Sequence, residues 1–540
     1  MIKVVSVDHT REIEAAADAA GLTYATLMQN AGHAVAQRVI AHLANRPNAR
    51  VTVLVGAGNN GGDGLVAGLV VAQQTKALVR FYLLKPRSED DVNFVAVRNA
   101  NLSVAHASDD RDGRVLRNMV ASADVVVDSL YGIGLKLPLR PDAAKFLHTI
   151  NQALNDTQQP EQPQGILISP INPTSRLHIL KPYVIAVDCP SGLDCDTGEL
   201  DSNAIRADET VTFISAKKGL LEFPGAEAVG DLHVATIGLT DDFPLLKAIE
   251  PTLADASIAS LLPARPLNAN KGTFGKIMVV AGSSNYVGAA GLTSMSAYRS
   301  GAGLVTVAAP QSVVAALCGH FLEPTWLPLA ETKGEIASKE ATALAKEIST
   351  YSAALLGPGW GKAKSTHDLL VKLLKQKLPP LIIDADGLNL LSDIDKWWKQ
   401  LPAETIITPH PGEMGRLAKV TTVDVQADRW KIAAEKAVEW KVILVLKGAH
   451  TLVAAPDGRI TAMPFKSDAL STAGTGDVLA GLIAGFLGQG VAPFDAAALG
   501  AYVHGLAGEF AAITQGNTRS VTSGDVLNAI PDALTALTTP

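Results

Sequence analysis

Near its C-terminal end the chain reads Ser471-Thr-Ala-Gly-Thr-Gly-Asp477-Val-Leu-Ala-Gly481, small residues that run into an apolar, helix-forming segment. A helix that starts at a Gly-rich turn points unpaired N–H groups and the positive end of its dipole at one spot. That spot suits a phosphate or a developing oxyanion. A carboxylate does not suit an anion, so Asp477 has two readings. It is a helix cap, a place that Asp and Gly both favour. Or it is a base that takes a proton from a hydroxyl while the backbone holds a transferring phosphoryl group.

Other turns carry polar groups of the same kind. In the second half these are Gly357-Pro-Gly359-Trp-Gly361, Asp384-Ala-Asp386-Gly387-Leu-Asn389, Thr408-Pro-His410-Pro-Gly412-Glu413 and Lys447-Gly-Ala-His450-Thr451. They offer a close-approach backbone, two carboxylates, a His and a Glu pinned between prolines, and a positive charge for a nucleotide. In the first half, Gly58-Asn59-Asn60-Gly61-Gly62-Asp63-Gly64 reads as a loop whose glycines let N–H groups approach a phosphate. It matches neither of the common nucleotide-binding fingerprints. Val127-Asp128 with Gly132-Ile-Gly134, and Asp188-Cys-Pro-Ser191-Gly-Leu-Asp194, add two carboxylates and a hydroxyl. Oxygen donors of low total charge suit a hard cation, and a spare carboxylate serves as an acid or base. Singly, Asp128 or Asp188 is equally a cap or turn residue, and Lys447 a solvated strand-end lysine.

Short apolar runs precede these turns and must position them. Val51–Val55, Phe81–Leu84, Val125–Val127 and Val184–Val187 read as buried parallel strands, with Val211–Ile214 and Leu232–Ile237 finishing the sheet. A fresh series follows at Lys276–Ala281, Leu304–Ala308, Ala353–Leu356, Leu381–Asp384, Thr405–Ile407 and Val442–Leu446. Ligands collect at the carboxyl ends of such strands, which is where the turns lie. Between 155 and 182 the texture turns Gln/Pro-rich, with Pro160, Pro163, Pro170 and Pro173, and reads as a surface insertion.

A chain of 540 residues needs roughly two to four domains. Hydrophobic residues at 47% with 18% charged and 5% aromatic indicate an α/β globular protein. A net charge of -7, a pI near 6.0 and no long basic run argue against nucleic acid as a partner. Cys189, Cys195 and Cys318 form no C-x-x-C pair, which fits a reducing compartment and argues against structural zinc. The N-terminus lacks signal-peptide features, and the most apolar helical segment, Val478–Val491, is short of the ~20 residues that span a bilayer. A cytoplasmic protein that meets no membrane is expected.

On the motifs at 59–64, 127–134 and 188–194, the segment from Leu27 to Gly225 resembles the NAD(P)H-hydrate epimerase family. From Lys271-Gly-Thr-Phe-Gly275 through Gly481 and onward, the five later turns resemble the ADP/ATP-dependent NAD(P)H-hydrate dehydratases. The resemblance implies an N-terminal Rossmann-like three-layer αβα domain over 1–240, a linker over 241–265 and a ribokinase-like αβα domain over 266–540. It implies a potassium ion held by Asn60, Asp128 and Ser191. The damaged nucleotide would contact Asn59, Asn60, Gly61, Gly62, Asp63 and Gly64, and the turn Gly132, Ile133, Gly134, Leu135, Lys136, Leu137 and Pro138. Ile133 stands where the family more often has Thr. Asp188 would bind the substrate and be catalytic.

In the second half the resemblance places Ala289, Gly359, His410 and Asp477 around the hydrated nucleotide, with Asp477 catalytic. Lys447, Gly448, Ala449, His450, Thr451 and Gly476 would bind ADP or ATP, the phosphoryl donor, with Mg2+. The implied activity is epimerisation of R- and S-NAD(P)H hydrates and donor-dependent dehydration of the S form, by a homo-oligomer acting on small molecules. Two other readings stand beside it. The second half is a small-molecule kinase of the same fold, which fold alone does not separate. Or the first half is a non-catalytic binding or oligomerisation module.

Overall fold

The structure, a computed structural model, describes residues 1–44, 46, 48–156 and 182–539. The Gln/Pro-rich insertion falls outside the described residues except at its edges. The chain divides into two compact units, Lys3–Ile249 and Glu250–Pro540 with Met1–Ile2.

In the first unit seven parallel strands stand in the order Ser103–His106, Leu78–Leu83, Arg50–Val55, Val125–Ser129, Tyr183–Val187, Glu209–Phe213 and Asp231–Ala235. Alternate residues of one strand feed two different cores. Val51, Val53 and Val55 pack with Val35 and Val39 of helix Tyr24–Leu43 and Leu65 and Val70 of helix Asn59–Gln74. Leu54 and Val126 face Leu116 and Met119 of helix Arg114–Ala121 and Leu147 and Ile150 of helix Pro141–Asn155. Strands buried on both faces read as continuous Val/Ile/Leu runs, and this is the three-layer α/β sandwich expected. A separate parallel pair joins Ile2–Val5 to Ala216–Lys217, with Val5 opposite Lys217.

In the second unit seven strands run parallel in the order Thr325–Leu329, Leu304–Pro310, Lys276–Val280, Ala353–Leu356, Leu381–Ile383, Ile406–Ile407 and Ile443–Leu446. An antiparallel extension, Leu452–Ala454 and Ile460–Ala462, follows, and Thr252–Leu253 lies parallel to its last strand. One face packs on Val478, Leu482 and Phe486 of helix Thr475–Gly488 and on Leu499 and Val503 of helix Pro493–Gln515. The alternate residues Met278, Val280, Leu356, Ile383 and Leu444 are as fully buried, so the other face is covered too. Strand order reverses between Arg50–Val55 and Val125–Ser129 in one sheet, and between Lys276–Val280 and Ala353–Leu356 in the other. Crevices open at the carboxyl ends beside such switch points.

Three sequence expectations change. Residues 59–64 are not a loop but the opening of helix Asn59–Gln74. Their glycines serve packing: a Cβ would lie 2.1 Å from the Gly56 carbonyl at Gly61, 2.7 Å from Met28 Sδ at Gly62 and 2.0 Å from Ser129 Oγ at Gly64. Edge strands Ser103–His106 and Thr325–Leu329 were not anticipated. By length and composition Pro493–Gln515, longer than the segment singled out above, is the one described helix able to cross a membrane, and 72% of its apolar window is buried within the unit.

Helix Thr475–Gly488 is held against helix Val287–Arg299 by small residues. At Gly481 a Cβ would sit 1.9 Å from Ser296 Oγ and 2.2 Å from the Thr293 carbonyl, and at Gly485 1.8 Å from Ser300 Oγ. Overpacking of this kind costs about 1–3 kcal/mol. Gly481→Ala is therefore expected to lower the unfolding free energy of the second unit by that amount, seen as a lower denaturant midpoint, whereas an unchanged midpoint would show that the two helices yield freely.

Candidate active sites

In the first unit, Asp128 ends its strand fully buried. Ser191 donates to it twice, from Oγ to Oδ1 at 2.6 Å and from its backbone N to Oδ2 at 2.8 Å, and Leu130 N donates to Oδ1 at 3.3 Å. Ser191 Oγ in turn accepts from Tyr131 N at 3.1 Å. Asp128 has no cationic partner among the described residues, and burial pushes its carboxyl up to about 6. Asn60, on the first turn of its helix, is buried with Nδ2 unpartnered, and a Cβ on Gly132 would lie 3.2 Å from its Oδ1. Asn60, Asp128, Ser191 and the turn at Gly132 therefore converge beside the switch point.

Asp188 adopts a left-handed φ of +66°, uncommon for a residue with a side chain. Its Oδ1 accepts from Lys217 Nζ at 2.7 Å, Thr212 Oγ1 at 3.0 Å and Phe213 N at 3.4 Å. Burial, then the charge of Asp188, raises Glu14 on helix Val7–Ala19 and holds Asp63 well above the usual carboxylate range. In the 132–138 turn Ile133 packs against the apolar cluster that holds Val7, Cys189, Leu193 and Cys195. Lys136 is exposed, with Nζ 3.8 Å from Asp196 Oδ2.

In the second unit, a single ammonium organises the strand ends. Lys447 Nζ donates to Asp384 Oδ1 at 2.9 Å and lies 3.7 Å from Glu413 Oε2. Thr408 Oγ1 also donates to Asp384 Oδ1, at 2.6 Å, while the buried Oδ2 has no partner. Lys447 is thus no solvated surface lysine, and a Cβ on Gly476 would stand 3.4 Å from its Nζ. Asp477 is half-buried on the first turn of its helix, after Gly474 at φ +90°. Burial, with Asp384 and Asp386 adding repulsion against the pull of Lys447, raises it to about 7. Glu413 is likewise raised to about 7, by burial first. No side chain caps this helix, and the N–H groups of Gly474, Gly476 and Asp477 have no acceptor among the described residues.

His410 caps helix Pro411–Ala418: its Nδ1 accepts from Gly412 N at 3.0 Å, and its own N donates to Glu413 Oε2 at 2.9 Å. Burial, then the charges of Lys447 and Arg416, lowers it to about 4, so it is neutral at pH 7. Gly359, at φ +65°, abuts Ala289, since a Cβ there would meet the Ala289 Cβ at 2.9 Å. In the 447–451 turn His450 is buried, with Nδ1 3.0 Å from the Met463 carbonyl, and Thr451 Oγ1 donates to the Gly448 carbonyl at 2.9 Å. The backbone N–H groups of Gly448 and Ala449 have no acceptor among the described residues, and these can meet a ligand.

Sequence reading missed Lys217, one of a Lys-Lys pair, and His504, a histidine in an Ala-rich helix. His504 lies against the Thr475 backbone in the Asp477 turn, and its Nε2 is buried without a partner. Burial holds this ring near 4, hence neutral.

These features define a two-unit α/β enzyme in which one strand-end site suits phosphoryl transfer and the other acid–base chemistry. A family model described as NAD(P)H-hydrate dehydratase matches residues 277–532, and one described as the YjeF-related protein N-terminus matches residues 24–219. The bifunctional NAD(P)H-hydrate repair enzyme of Moorella thermoacetica is 35% identical over 519 residues, covering 94% of this chain and 92% of the relative. That of Thermofilum pendens is 34% identical, covering 99% and 97%. The chain belongs to the bifunctional NAD(P)H-hydrate repair enzymes. Among solved structures, the ADP/ATP-dependent NAD(P)H-hydrate dehydratase of Bacillus subtilis, co-crystallised with ATP and Mg2+, is 27% identical over 53% of this chain and 99% of that one, with a TM-score of 0.46.

The electrostatics of the second unit are directly measurable. Infrared difference spectra should show carboxyl groups titrating near pH 7, one of them lost in Asp477→Asn. Lys447→Met removes the cation that favours the ionised forms, so the remaining transitions should move to higher pH. Absence of any carboxyl titrating above pH 6 would contradict this arrangement.

Proposed function

We propose that the unit Lys3–Ile249 exchanges the R and S epimers of NAD(P)H hydrate, and that the unit Glu250–Pro540 dehydrates the S epimer at the expense of ADP or ATP. The observation that carries the second role is a proton acceptor near neutrality, Asp477, set beside unpaired N–H groups at one helix start. Hydration of an enamine-like double bond leaves the hydroxyl on the carbon bonded to the ring nitrogen. Asp477 takes the proton from that hydroxyl as the hydroxyl oxygen attacks the terminal phosphoryl group of the donor, whose bridging P–O bond breaks to release AMP from ADP or ADP from ATP. The N–H groups of Gly474 and Gly476 stabilise the transferring group, the largest contribution expected in phosphoryl transfer. The ring nitrogen then expels inorganic phosphate, and loss of a proton from the adjacent carbon restores the double bond. Ala289, Gly359 and the neutral His410 line the hydrate, and Lys447 to Thr451 with Gly476 hold the nucleotide.

Magnesium arriving with the donor phosphates would neutralise charge there, and the unpartnered Asp384 Oδ2 is a suitable oxygen donor. The grouping of Asn60, Asp128 and Ser191 suits potassium as a set of oxygen donors: an amide oxygen, a fully buried carboxylate with no cationic side chain, and a hydroxyl. Bound there, potassium would supply the missing positive charge.

In the first unit, Asp188 handles the proton as the hydroxyl leaves and as water returns to the opposite face of the ring. The hydroxyl departs as water while the nitrogen lone pair forms a C=N bond, and readdition releases one proton, so the exchange balances. Residues 59–64 and 132–138 surround the substrate. Action as a homo-oligomer in the cytoplasm belongs to the same proposal.

Racemic hydrate with ADP or ATP should return completely to reduced cofactor, with one inorganic phosphate released per turnover; a stable phosphate ester would point to a kinase instead. Asp477→Asn should lower dehydration by ~10²- to 10⁴-fold and leave epimer exchange intact. Asp188→Asn should abolish exchange alone, so that recovery stalls once the S epimer is spent and the R epimer remains; loss of S-epimer dehydration would count against separate sites. Because Asp477 must be deprotonated to act and its value is raised to about 7, the dehydration rate should fall as pH drops through about 7. A rate flat down to pH 5 would exclude it as the base.

A further inference from the structure

Lys217 is fully buried, a rare place for an ammonium group unless it is paired. All three of its donors are used, on Asp188 Oδ1 at 2.7 Å, Thr212 Oγ1 at 2.8 Å and the Phe213 carbonyl at 2.9 Å. Thr212 Oγ1 closes the triangle by donating to the same Asp188 Oδ1 at 3.0 Å. Three donors therefore meet one carboxylate oxygen, counting Phe213 N. The other oxygen, Oδ2, receives no hydrogen bond from any described residue and is not sealed from the crevice.

The left-handed φ of Asp188 is held by its N–H, which donates to the Val211 carbonyl at 2.8 Å. Strand Glu209–Phe213 thus fixes both the backbone and one carboxylate oxygen of this residue. Such a conformation is strained and persists where its surroundings over-determine it, as they do here.

We infer that Lys217 is the positioning residue of the epimer-exchange site: with Thr212 it pins Oδ1 of Asp188 and balances its buried charge, so that Oδ2 alone is presented to the substrate hydroxyl. This rests on the assignment of Asp188 to epimer exchange. The charged or titratable groups facing Asp188 are Lys217, Asp63 of helix Asn59–Gln74, Glu14 of helix Val7–Ala19 and the adjacent Cys189. Lys217 is the one cation among them; the others are acids. Asp63 and Glu14, both raised, are in turn suited to deliver the proton that lets the hydroxyl leave as water.

The test follows exchange of the pure R-epimer hydrate by chromatography without phosphoryl donor, across pH, in the full-length chain. Loss of an opposite charge at contact distance raises a carboxyl by about 1–3 pH units. Lys217→Met should therefore move the acid limb of kcat/KM for exchange upward by that amount and lower the rate at neutral pH, with S-epimer dehydration unchanged. Thr212→Val keeps both charges and loosens chiefly the geometry, so a roughly tenfold or greater loss is expected with a limb that moves less than in Lys217→Met. An unmoved limb in a folded Lys217→Met protein would overturn the inference. So would full exchange by Thr212→Val, which decides the matter if Lys217→Met does not fold. Normal exchange by Asp188→Asn would instead overturn the assignment on which the inference rests.

Discussion

Each unit places one buried ammonium among more carboxylates than it can neutralise, and the rest of each site depends on that imbalance. Lys447 contacts Asp384 and Glu413 directly, with Asp477 and Asp386 also within reach of one another's charge. Lys217 pairs with Asp188, leaving Asp63 and Glu14 uncompensated nearby. A buried charge is tolerated when paired and hydrogen-bonded, and a carboxyl left over keeps its proton to higher pH. The paired members, Asp384 and Asp188, are fixed in place. Of the unpaired ones, Asp477 is raised to about 7 and exchanges protons near neutrality, the range in which acid–base catalysis is most effective, while Asp63 and Glu14 are raised above their ordinary values.

The sheets make this possible because parallel strands deliver their turns to one edge. Asp384, Thr408 and Lys447 follow three adjacent strands, so residues far apart in sequence meet within hydrogen-bonding distance. The small residues between helices Thr475–Gly488 and Val287–Arg299 set where the Asp477 helix begins. From that helix start its N–H groups face the strand ends. His504 of the neighbouring helix lies against the Thr475 backbone of the same turn. Core packing and site geometry are here one and the same requirement.

Much of this was legible in the chain. Continuous runs such as Val51–Val55 and Ile443–Leu446 announce buried parallel strands, and the polar turns that follow them hold nearly every group placed in the sites. What escaped reading has physical reasons. Ser103–His106 and Thr325–Leu329 are edge strands, where polar residues and Pro328 are tolerated, so the hydrophobic signal fades. Residues 59–64 look unlike a helix because Gly disfavours one, yet backbone and side-chain neighbours leave no room for a Cβ. Lys217 and His504 look ordinary in sequence because burial and partners are tertiary properties.

The central claim is that two independent sites on one chain act in sequence, Asp188 supplying the epimer that Asp477 consumes. Complementation in trans tests it most directly, using Asp188→Asn and Asp477→Asn proteins on racemic hydrate with donor, followed by the absorbance of reduced nicotinamide. The account predicts that the first stalls when the S epimer is spent, the second recovers almost nothing, and an equimolar mixture proceeds to completion. A mixture that stalls where Asp188→Asn alone stalls would contradict it.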